Sequence, residues 1–309
     1  SMLGDKKRLK IFIDALRGGT GHSPQSGDIS VNPAAAAYLS NFTRQEYINA
    51  VNAAKGYIAA GDIYQINLSQ RLEIQWEGDP FRLYSTLVEK NPAPFSSFLD
   101  LKDFQILSCS PERLLKISGD MATTMPIKGT RPRGKTPDED KKFLDELKSS
   151  GKEAAEHVMI VDLERNDLGA ICEAGTIEVP EFGGITAYPH LYHMVSTVRG
   201  RLNKGINSIH ALKKIFPGGS VTGAPKIRAM EIIDELEKAP RGVYTGGIGW
   251  AGFNGAMDMS MAIRTAIFRG DVMRLSVGGG IVADSVPEHE YSETLLKASD
   301  FFRPLGIKD

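Results

Sequence analysis

The chain lacks most features that mark secreted, membrane-spanning or nucleic-acid-binding proteins. Its 309 residues include two cysteines. Cys109 and Cys172 lie far apart without metal-ligand spacing, which indicates reduced thiols in a cytoplasmic protein. No apolar run approaches the ~20 residues that a membrane-spanning helix needs. The formal net charge is −1, so nothing indicates nucleic acid or an anionic membrane as a partner.

Capping and turn signals divide the chain near residue 42. Residues 9–16 are a strand candidate, and residues 17–33 are rich in Gly, Ser, Pro and other polar residues. We therefore predict an N-terminal strand and flexible linker over 1–42. A capping box at 43–46 then opens a helix. The main domain is predicted to cover 43–309.

Hydrophobic periodicity within the main domain indicates antiparallel sheets with helices outside. Apolar residues alternate over 64–76, which predicts a half-buried strand whose other face carries Gln65, Asn67 and Ser69. Two hairpin turns in 243–282, at Asn254-Gly255 and Gly270-Asp271, predict a meander. Further strands are predicted at 104–110, 114–118 and 121–127. Helices are predicted to start at 136 and to cover about 152–168 and 287–302. This order is typical of an α+β fold.

Two glycine-rich motifs imitate nucleotide-binding loops. Residues 247–252 match GxGxxG, but an Asn-Gly hairpin follows where a dinucleotide site needs a helix. Residues 218–226 lack the Gly-Lys-Ser/Thr ending of a phosphate loop and carry Pro225 where a donor is needed. We reject both interpretations.

Two pairs of glutamates predict a metal site. Glu153 and Glu156 are three residues apart on one predicted helix, and Glu290 and Glu293 repeat the spacing on another, with Lys297 one turn further. Such pairs usually form a solvated helix face. If the two pairs face each other, however, they need a cation between them. Carboxylate oxygens suit Mg²⁺, and no His/Cys cluster favours zinc.

Lys128 is the strongest nucleophile candidate. It lies between Pro126 and Gly129, close in sequence to Arg131 and Arg133. Like charges disfavour the protonated form of an amine, and a neutral lysine is a nucleophile. The alternative is a surface lysine in a basic turn.

Four segments together resemble the chorismate-utilising enzymes. They are Pro-Ile-Lys-Gly-Thr-Arg-Pro-Arg at 126–133, Glu-His-Val-Met-Ile-Val-Asp-Leu-Glu-Arg-Asn-Asp-Leu at 156–168, Phe-Pro-Gly-Gly-Ser-Val-Thr-Gly-Ala-Pro-Lys at 216–226 and Gly-Gly-Gly-Ile-Val-Ala-Asp-Ser at 278–285. The resemblance covers about 43–305. Within this family, lysine at position 128 marks the aminodeoxychorismate synthases, whereas relatives usually carry alanine. The resemblance implies two orthogonally packed antiparallel sheets, with helices on the outer faces and the site between them.

The resemblance also implies a role for each motif residue. Glu156 and Glu293 would hold Mg²⁺, with Glu153 and Glu290 behind them and Lys297 near the ring carboxylate of the substrate. Glu112 would be the general acid for the C4 hydroxyl, which His193 would contact. Arg264, expected on a strand over 259–268, and Tyr244 would bind the enolpyruvyl group of the substrate. The other implied substrate-binding groups are the amides of Gly278 and Gly280 and the hydroxyls of Ser220 and Thr130.

The glutamine at position 65 indicates that this chain does not catalyse addition of water to the chorismate ring. Isochorismate and salicylate synthases carry a water-activating lysine at this position, and an amide cannot act as that base. The implied activity is therefore Mg²⁺-dependent amination of chorismate by ammonia, through a covalent Lys128 intermediate, to 4-amino-4-deoxychorismate for 4-aminobenzoate and folate synthesis. A separate glutamine amidotransferase subunit is the expected source of ammonia. The alternatives are anthranilate synthase component I and a non-catalytic chorismate-binding subunit. No tryptophan-binding element is recognised, and regulation and oligomeric state stay open.

Overall fold

The computed structural model describes residues 38–303 except 91, 189 and 190. The predicted strand at 9–16 and the linker at 17–33 lie outside these residues. The helices are α1 (Arg44–Ala59), α2 (Pro80–Lys90), α3 (Pro137–Ser149), α4 (Gly151–Gly169), α5 (Ser208–Ile215), α6 (Lys226–Leu236) and α7 (Pro287–Phe302), with a 3₁₀ turn at Gly219–Val221. No described helix is both long and apolar enough to cross a membrane.

The strands form two antiparallel sheets. The first has the order β1 (Leu39–Ser40), β2 (Gln65–Gln75), β14 (Val272–Ile281), β13 (Thr265–Arg269), β4 (Gln105–Ser110) and β3 (Phe95–Asp100), with β10 (Gly223–Ala224) also paired to β2. The second has the order β11 (Gly247–Ala251), β12 (Met257–Met261), β5 (Arg113–Ser118), β6 (Met121–Met125), β9 (Leu191–Arg201) and β7 (Ile127–Pro132), with β8 (Glu178–Ala187) also paired to β9. The predicted α+β class with antiparallel sheets is confirmed.

Local sequence signals set the helix boundaries correctly. Thr43 and Glu46 form the predicted capping box at the start of α1. Thr136 and Ser150 accept backbone hydrogen bonds at the starts of α3 and α4. These side chains satisfy amide groups that have no partner inside the helix. The shorter helices α2, α5 and α6 were not predicted.

Strand β2 differs from the prediction because both of its faces are covered. The apolar face, including Ile66 and Leu68, packs with residues of α1 and α6 in one hydrophobic core. The polar side chains of Gln65, Asn67 and Ser69 are also buried, at 2%, 9% and 5% exposure. The expectation of a half-buried strand is therefore wrong, because alternation shows which side chains share a face but not what covers that face.

The region 243–282 forms two hairpins that belong to different sheets. β11 and β12 lie in the second sheet, whereas β13 and β14 lie in the first. The turn glycines Gly255 and Gly270 adopt the positive φ values that the hairpin motifs predict. The strand expected over 259–268 is wrong: it is broken between β12 and β13, where Arg264 has a φ of 48°. The GxGxxG segment begins strand β11, which confirms the rejection of a dinucleotide site.

A second core lies between the second sheet and α4. It contains Leu115, Val198, Met257 and Leu168, together with Cys172. Cys109 and Cys172 are both buried and are not joined in a disulfide bond, as predicted. Each sheet thus packs on a hydrophobic core of its own.

Candidate active site

The three glycines of β14 let polar side chains of other segments come close to this strand. A Cβ atom added at Gly278 would lie 2.8 Å from Tyr244 Oη and 3.0 Å from Asn67 Oδ1. One added at Gly280 would lie 2.8 Å from Gln65 Nε2 and 3.4 Å from Lys128 Nζ. Only glycine therefore fits without displacing these groups, and we interpret the surroundings of β14 as the candidate substrate site, called the cleft below.

Lys128 reaches this cleft from the second sheet. It lies on β7 opposite Met194 of β9, and its Nζ is 3.0 Å from Glu156 Oε2 on α4. The side chain is 24% exposed. A substrate in the cleft could therefore contact the amine directly.

The arginines near Lys128 in sequence are paired elsewhere. Arg131 Nη1 is 2.6 Å from Glu153 Oε1, and Arg133 Nε is 2.8 Å from Asp140 Oδ1. Both arginines are therefore paired with carboxylates of other segments, and the like-charge effect that we expected them to have on Lys128 stays a prediction. The group in contact with the amine is the Glu156 carboxylate, and alternating strand geometry cannot reveal such a pairing from sequence.

Glu112 is a buried carboxyl group suited to donating a proton. It lies in the connection between β4 and β5 and is 6% exposed. Burial raises the pKa of Glu112 to about 7, while the Ser220 hydroxyl and the positive charge of Lys128 oppose the rise. Ser220 Oγ itself is buried and has no hydrogen bond of normal geometry within the described residues, so we regard its contact with Glu112 as weak. At neutral pH a large fraction of Glu112 carries a proton.

Glu164, on α4, is a second buried acid that the sequence reading missed. It is 4% exposed and accepts a 2.7 Å hydrogen bond from Thr124 Oγ1. Burial, followed by the charge of Asp167, raises the pKa of Glu164 to about 8, and Glu112 adds to this effect. A signal was present, because Glu153, Glu156 and Glu164 follow helical spacing along one stripe of α4.

His193 lies beside Thr130 and close enough to Arg264 to feel its charge. Thr130 Oγ1 and His193 Nδ1 are 2.9 Å apart across the β7–β9 pair. Burial and then the charge of Arg264 lower the pKa of His193 to about 4. The imidazole is therefore neutral at pH 7 and can accept or donate a hydrogen bond, but it cannot supply a positive charge.

The predicted magnesium ligands lie in two places. Glu153 and Glu156 are on α4, each paired with a basic side chain. Glu290 and Glu293 are on α7. A Cβ added at Gly279 would be 3.4 Å from Glu290 Oε2 and 3.9 Å from Glu293 Oε1.

The predicted ligands thus do not form one ready-made cluster. Lys297 Nζ is 2.8 Å from Glu293 Oε1, and Ser285 Oγ donates to Glu290 Oε1 at 2.7 Å. Among the described residues, no three His, Cys, Asp or Glu side chains lie close enough to share a metal ion. The oxygen donors have the chemistry that Mg²⁺ prefers. The magnesium site stays a prediction.

Asn67 is another cleft residue that the sequence reading did not select. Asn67 Oδ1 and Gln65 Oε1 are buried and have no hydrogen-bond partner within the described part of the chain. Buried polar atoms are almost always paired in folded proteins. These amides therefore face the space that a ligand would fill, and the alternation noted on β2 was the signal for them.

The cleft brings together a primary amine, a protonated carboxyl group, a neutral imidazole and an arginine. An amine beside a general acid can displace a hydroxyl group, because the acid protonates the departing oxygen. An arginine can bind a carboxylate through two parallel hydrogen bonds. This arrangement suits a small anionic substrate that carries a hydroxyl leaving group.

Comparisons with known proteins show which proteins this chain resembles. The family of chorismate binding enzymes matches residues 7–303. Aminodeoxychorismate synthase component 1 of Bacillus subtilis is 45% identical over 89% of this chain and 58% of its own length. Anthranilate synthase component 1 of Thermus thermophilus is 48% identical over 89% of this chain and 59% of its own length. The crystal structure of anthranilate synthase component I from Streptococcus pneumoniae superposes with a TM-score of 0.83 at 36% identity, covering 98% of this chain and 67% of that one. The chain spans somewhat more than half the length of these curated relatives.

Proposed function

The chain belongs to the family of chorismate binding enzymes, and on that premise we propose that it aminates chorismate to 4-amino-4-deoxychorismate. The observation that carries this proposal is the position of Lys128 Nζ, beside Gly280 in the cleft. A lysine there provides a nucleophile that can attack the substrate ring. The relative from Bacillus subtilis, named an aminodeoxychorismate synthase component, supports the same activity.

The first proposed step forms a covalent bond to Lys128. The neutral amine attacks C2 of the ring, both ring double bonds shift, and the bond from C4 to the hydroxyl oxygen breaks. Glu112 supplies a proton, so the hydroxyl group leaves as water. The raised pKa of Glu112 suits this role, because the acid keeps a proton at neutral pH.

The second step releases the lysine. Ammonia attacks C4, both double bonds shift back, and the bond between C2 and Lys128 breaks. The proton lost by the new ammonium group returns to Glu112, so the enzyme regains its starting state. Gln65 lies next to Lys128 and has no basic group to activate water, which supports ammonia as the nucleophile.

The remaining cleft residues bind and orient the substrate. Arg264 and Tyr244 would hold the enolpyruvyl carboxylate, with the amides of Gly278 and Gly280 and the hydroxyls of Ser220 and Thr130 along the wall. Neutral His193 would hydrogen-bond the C4 hydroxyl. Glu156 and Glu293, with Glu153 and Glu290 behind them, would hold Mg²⁺, which when bound would offset the charge of the ring carboxylate near Lys297.

The proposed ammonia source is a glutamine amidotransferase subunit. The word "component" in the names of the relatives supports a multi-subunit enzyme. In a test tube, a high concentration of ammonium can take the place of that subunit. The amination would then supply a precursor of 4-aminobenzoate.

Formation of anthranilate is the second candidate function. Several relatives of comparable identity are named anthranilate synthase component 1. That reaction places nitrogen at C2 and releases pyruvate, whereas our proposal places it at C4 and retains the enolpyruvyl group. Lys128 is the feature that favours the first reaction.

Product analysis distinguishes these functions. The chain is mixed with chorismate, Mg²⁺ and ammonium, and the products are separated and identified by mass and fluorescence. Aminodeoxychorismate without pyruvate supports our proposal, and anthranilate with pyruvate refutes it. Tight binding of chorismate without turnover would instead support a non-catalytic binding subunit.

A further inference from the structure

Arg241 lies behind the cleft and contacts two of its walls through backbone carbonyl groups. It follows α6 in the connection that leads to Tyr244. Its Nη1 donates to Val221 O at 2.7 Å, and its Nη2 donates to Asn67 O at 2.7 Å. Val221 neighbours Ser220 in the 3₁₀ turn, and Asn67 belongs to β2. One guanidinium group therefore joins these two segments.

Glu237 fixes the orientation of this guanidinium. Arg241 Nε and Nη2 lie 2.9 and 2.6 Å from the two Glu237 oxygens. Glu237 Oε1 also accepts hydrogen bonds from Ser69 N and Ser69 Oγ at 2.9 and 2.8 Å. The two charged side chains are only 15% and 5% exposed. A buried two-pronged pair of this kind restricts geometry, and removal of one partner leaves a costly unpaired charge.

The third wall is the loop that carries Tyr244. The Arg241 guanidinium carbon lies 5.9 Å from the centre of the Tyr244 ring. The next residue, Thr245, has a φ of 63°, which is unfavourable for a β-branched residue. A strained loop conformation persists only when surrounding contacts hold it. Arg241 is one of the groups that provide such contacts.

We propose that Arg241 is a positioning residue that holds three walls of the cleft in a fixed arrangement relative to one another. These walls are β2 with Gln65 and Asn67, the turn with Ser220, and the loop with Tyr244. Arg241 binds the walls through the backbone carbonyls of Val221 and Asn67, so its effect on chorismate passes through the segments that it binds. The identification of chorismate as the substrate rests on the proposed function. The claim that Arg241 links the three walls rests on the contacts alone.

A cavity of about 300 Å³ makes this role testable by chemical rescue. Its lining includes Glu237, Arg241 and the buried hydroxyl residues Thr222 and Thr245. After Arg241→Ala, free guanidinium can enter through this cavity and restore the contacts with Glu237 and the two carbonyls. Arg228→Ala is a matched control, because Arg228 pairs with Asp62 and Glu231 at the surface of α6.

The experiment combines kinetics with hydrogen exchange. Arg241→Ala is expected to lower kcat/KM for chorismate on the order of 100-fold, since small displacements of binding groups have effects of this size. Millimolar guanidinium should restore much of the lost kcat/KM of Arg241→Ala, whereas urea should not. Guanidinium should not raise the kcat/KM of the Arg228→Ala control. Arg241→Lys, which keeps the charge but not the fork of donors, should resemble Arg241→Ala.

Hydrogen exchange separates positioning from general stability. We expect faster exchange at 219–223 and 242–246 in Arg241→Ala, with helix α7 unchanged. Uniformly faster exchange over the whole chain, or kinetics equal to wild type, would overturn the inference. If the wild-type chain does not consume chorismate, the proposed function fails, and selective exchange at the two segments still decides whether Arg241 links them.

Discussion

The raised pKa of Glu112 predicts how stability and activity respond to Glu112→Gln. The shift from 4.5 to about 7 spans roughly 2.5 units, which corresponds to about 3 kcal/mol at 1.36 kcal/mol per unit. Glutamine keeps the shape and most polar contacts but does not titrate. The variant therefore isolates the free energy of ionising this buried side chain.

The sign follows from the two protonation equilibria. Below pH ~4.5 both the folded and the unfolded chain hold the proton, so Glu112 causes no pH dependence. Between pH ~4.5 and ~7 the unfolded chain releases the proton while the folded chain keeps it, and the free energy of unfolding of the wild type falls. Above pH ~7 the loss is complete. The stability of Glu112→Gln relative to wild type should therefore rise by about 3 kcal/mol between pH ~4.5 and ~8.

Urea unfolding at several pH values measures this difference, and Glu89→Gln, an exposed change on α2, is the control. The same wild-type pKa should appear in kinetics as a rate that falls above pH ~7, because the general acid must be protonated. Glu112→Gln should lower kcat by ~10²–10⁴-fold. A stability difference that does not change with pH, or an unchanged kcat, would refute our account of Glu112.

Three further outcomes are expected. Lys128→Ala should abolish a covalent adduct with chorismate in intact-protein mass spectra, and an adduct that persists would identify another nucleophile. Gly280→Ala should impair chorismate turnover with little loss of stability, because the added Cβ meets the flexible ends of Gln65 and Lys128. The control is Gly56→Ala, where an added Cβ meets nothing within 4 Å. This control should leave turnover unchanged and stabilise α1 by up to ~1 kcal/mol. Removal of Mg²⁺ with EDTA should abolish turnover and weaken chorismate binding, and full activity in EDTA would contradict the metal assignment.

The sequence by itself determined the local elements and the family. Caps such as Thr43 and Thr136 act within one helical turn, so their effect is readable from neighbouring residues alone. The hairpin glycines Gly255 and Gly270 are similarly local, because each satisfies a positive φ at its own position. The four motif segments occur in the same order as in the chorismate-utilising enzymes, and that was sufficient to identify the chorismate binding family.

Only the tertiary structure decided the electrostatics of the cleft. Lys128 contacts Glu156, whereas Arg131 and Arg133 pair with other carboxylates. The reason is that α4 packs against β7 and brings a distant carboxylate to the amine. The high pKa of Glu112 arises from burial between separate segments, including the turn at Ser220. Arg241 contacts Asn67 O across 174 positions of sequence. Charge, burial and pairing depend on which surfaces meet, and no local pattern records that information.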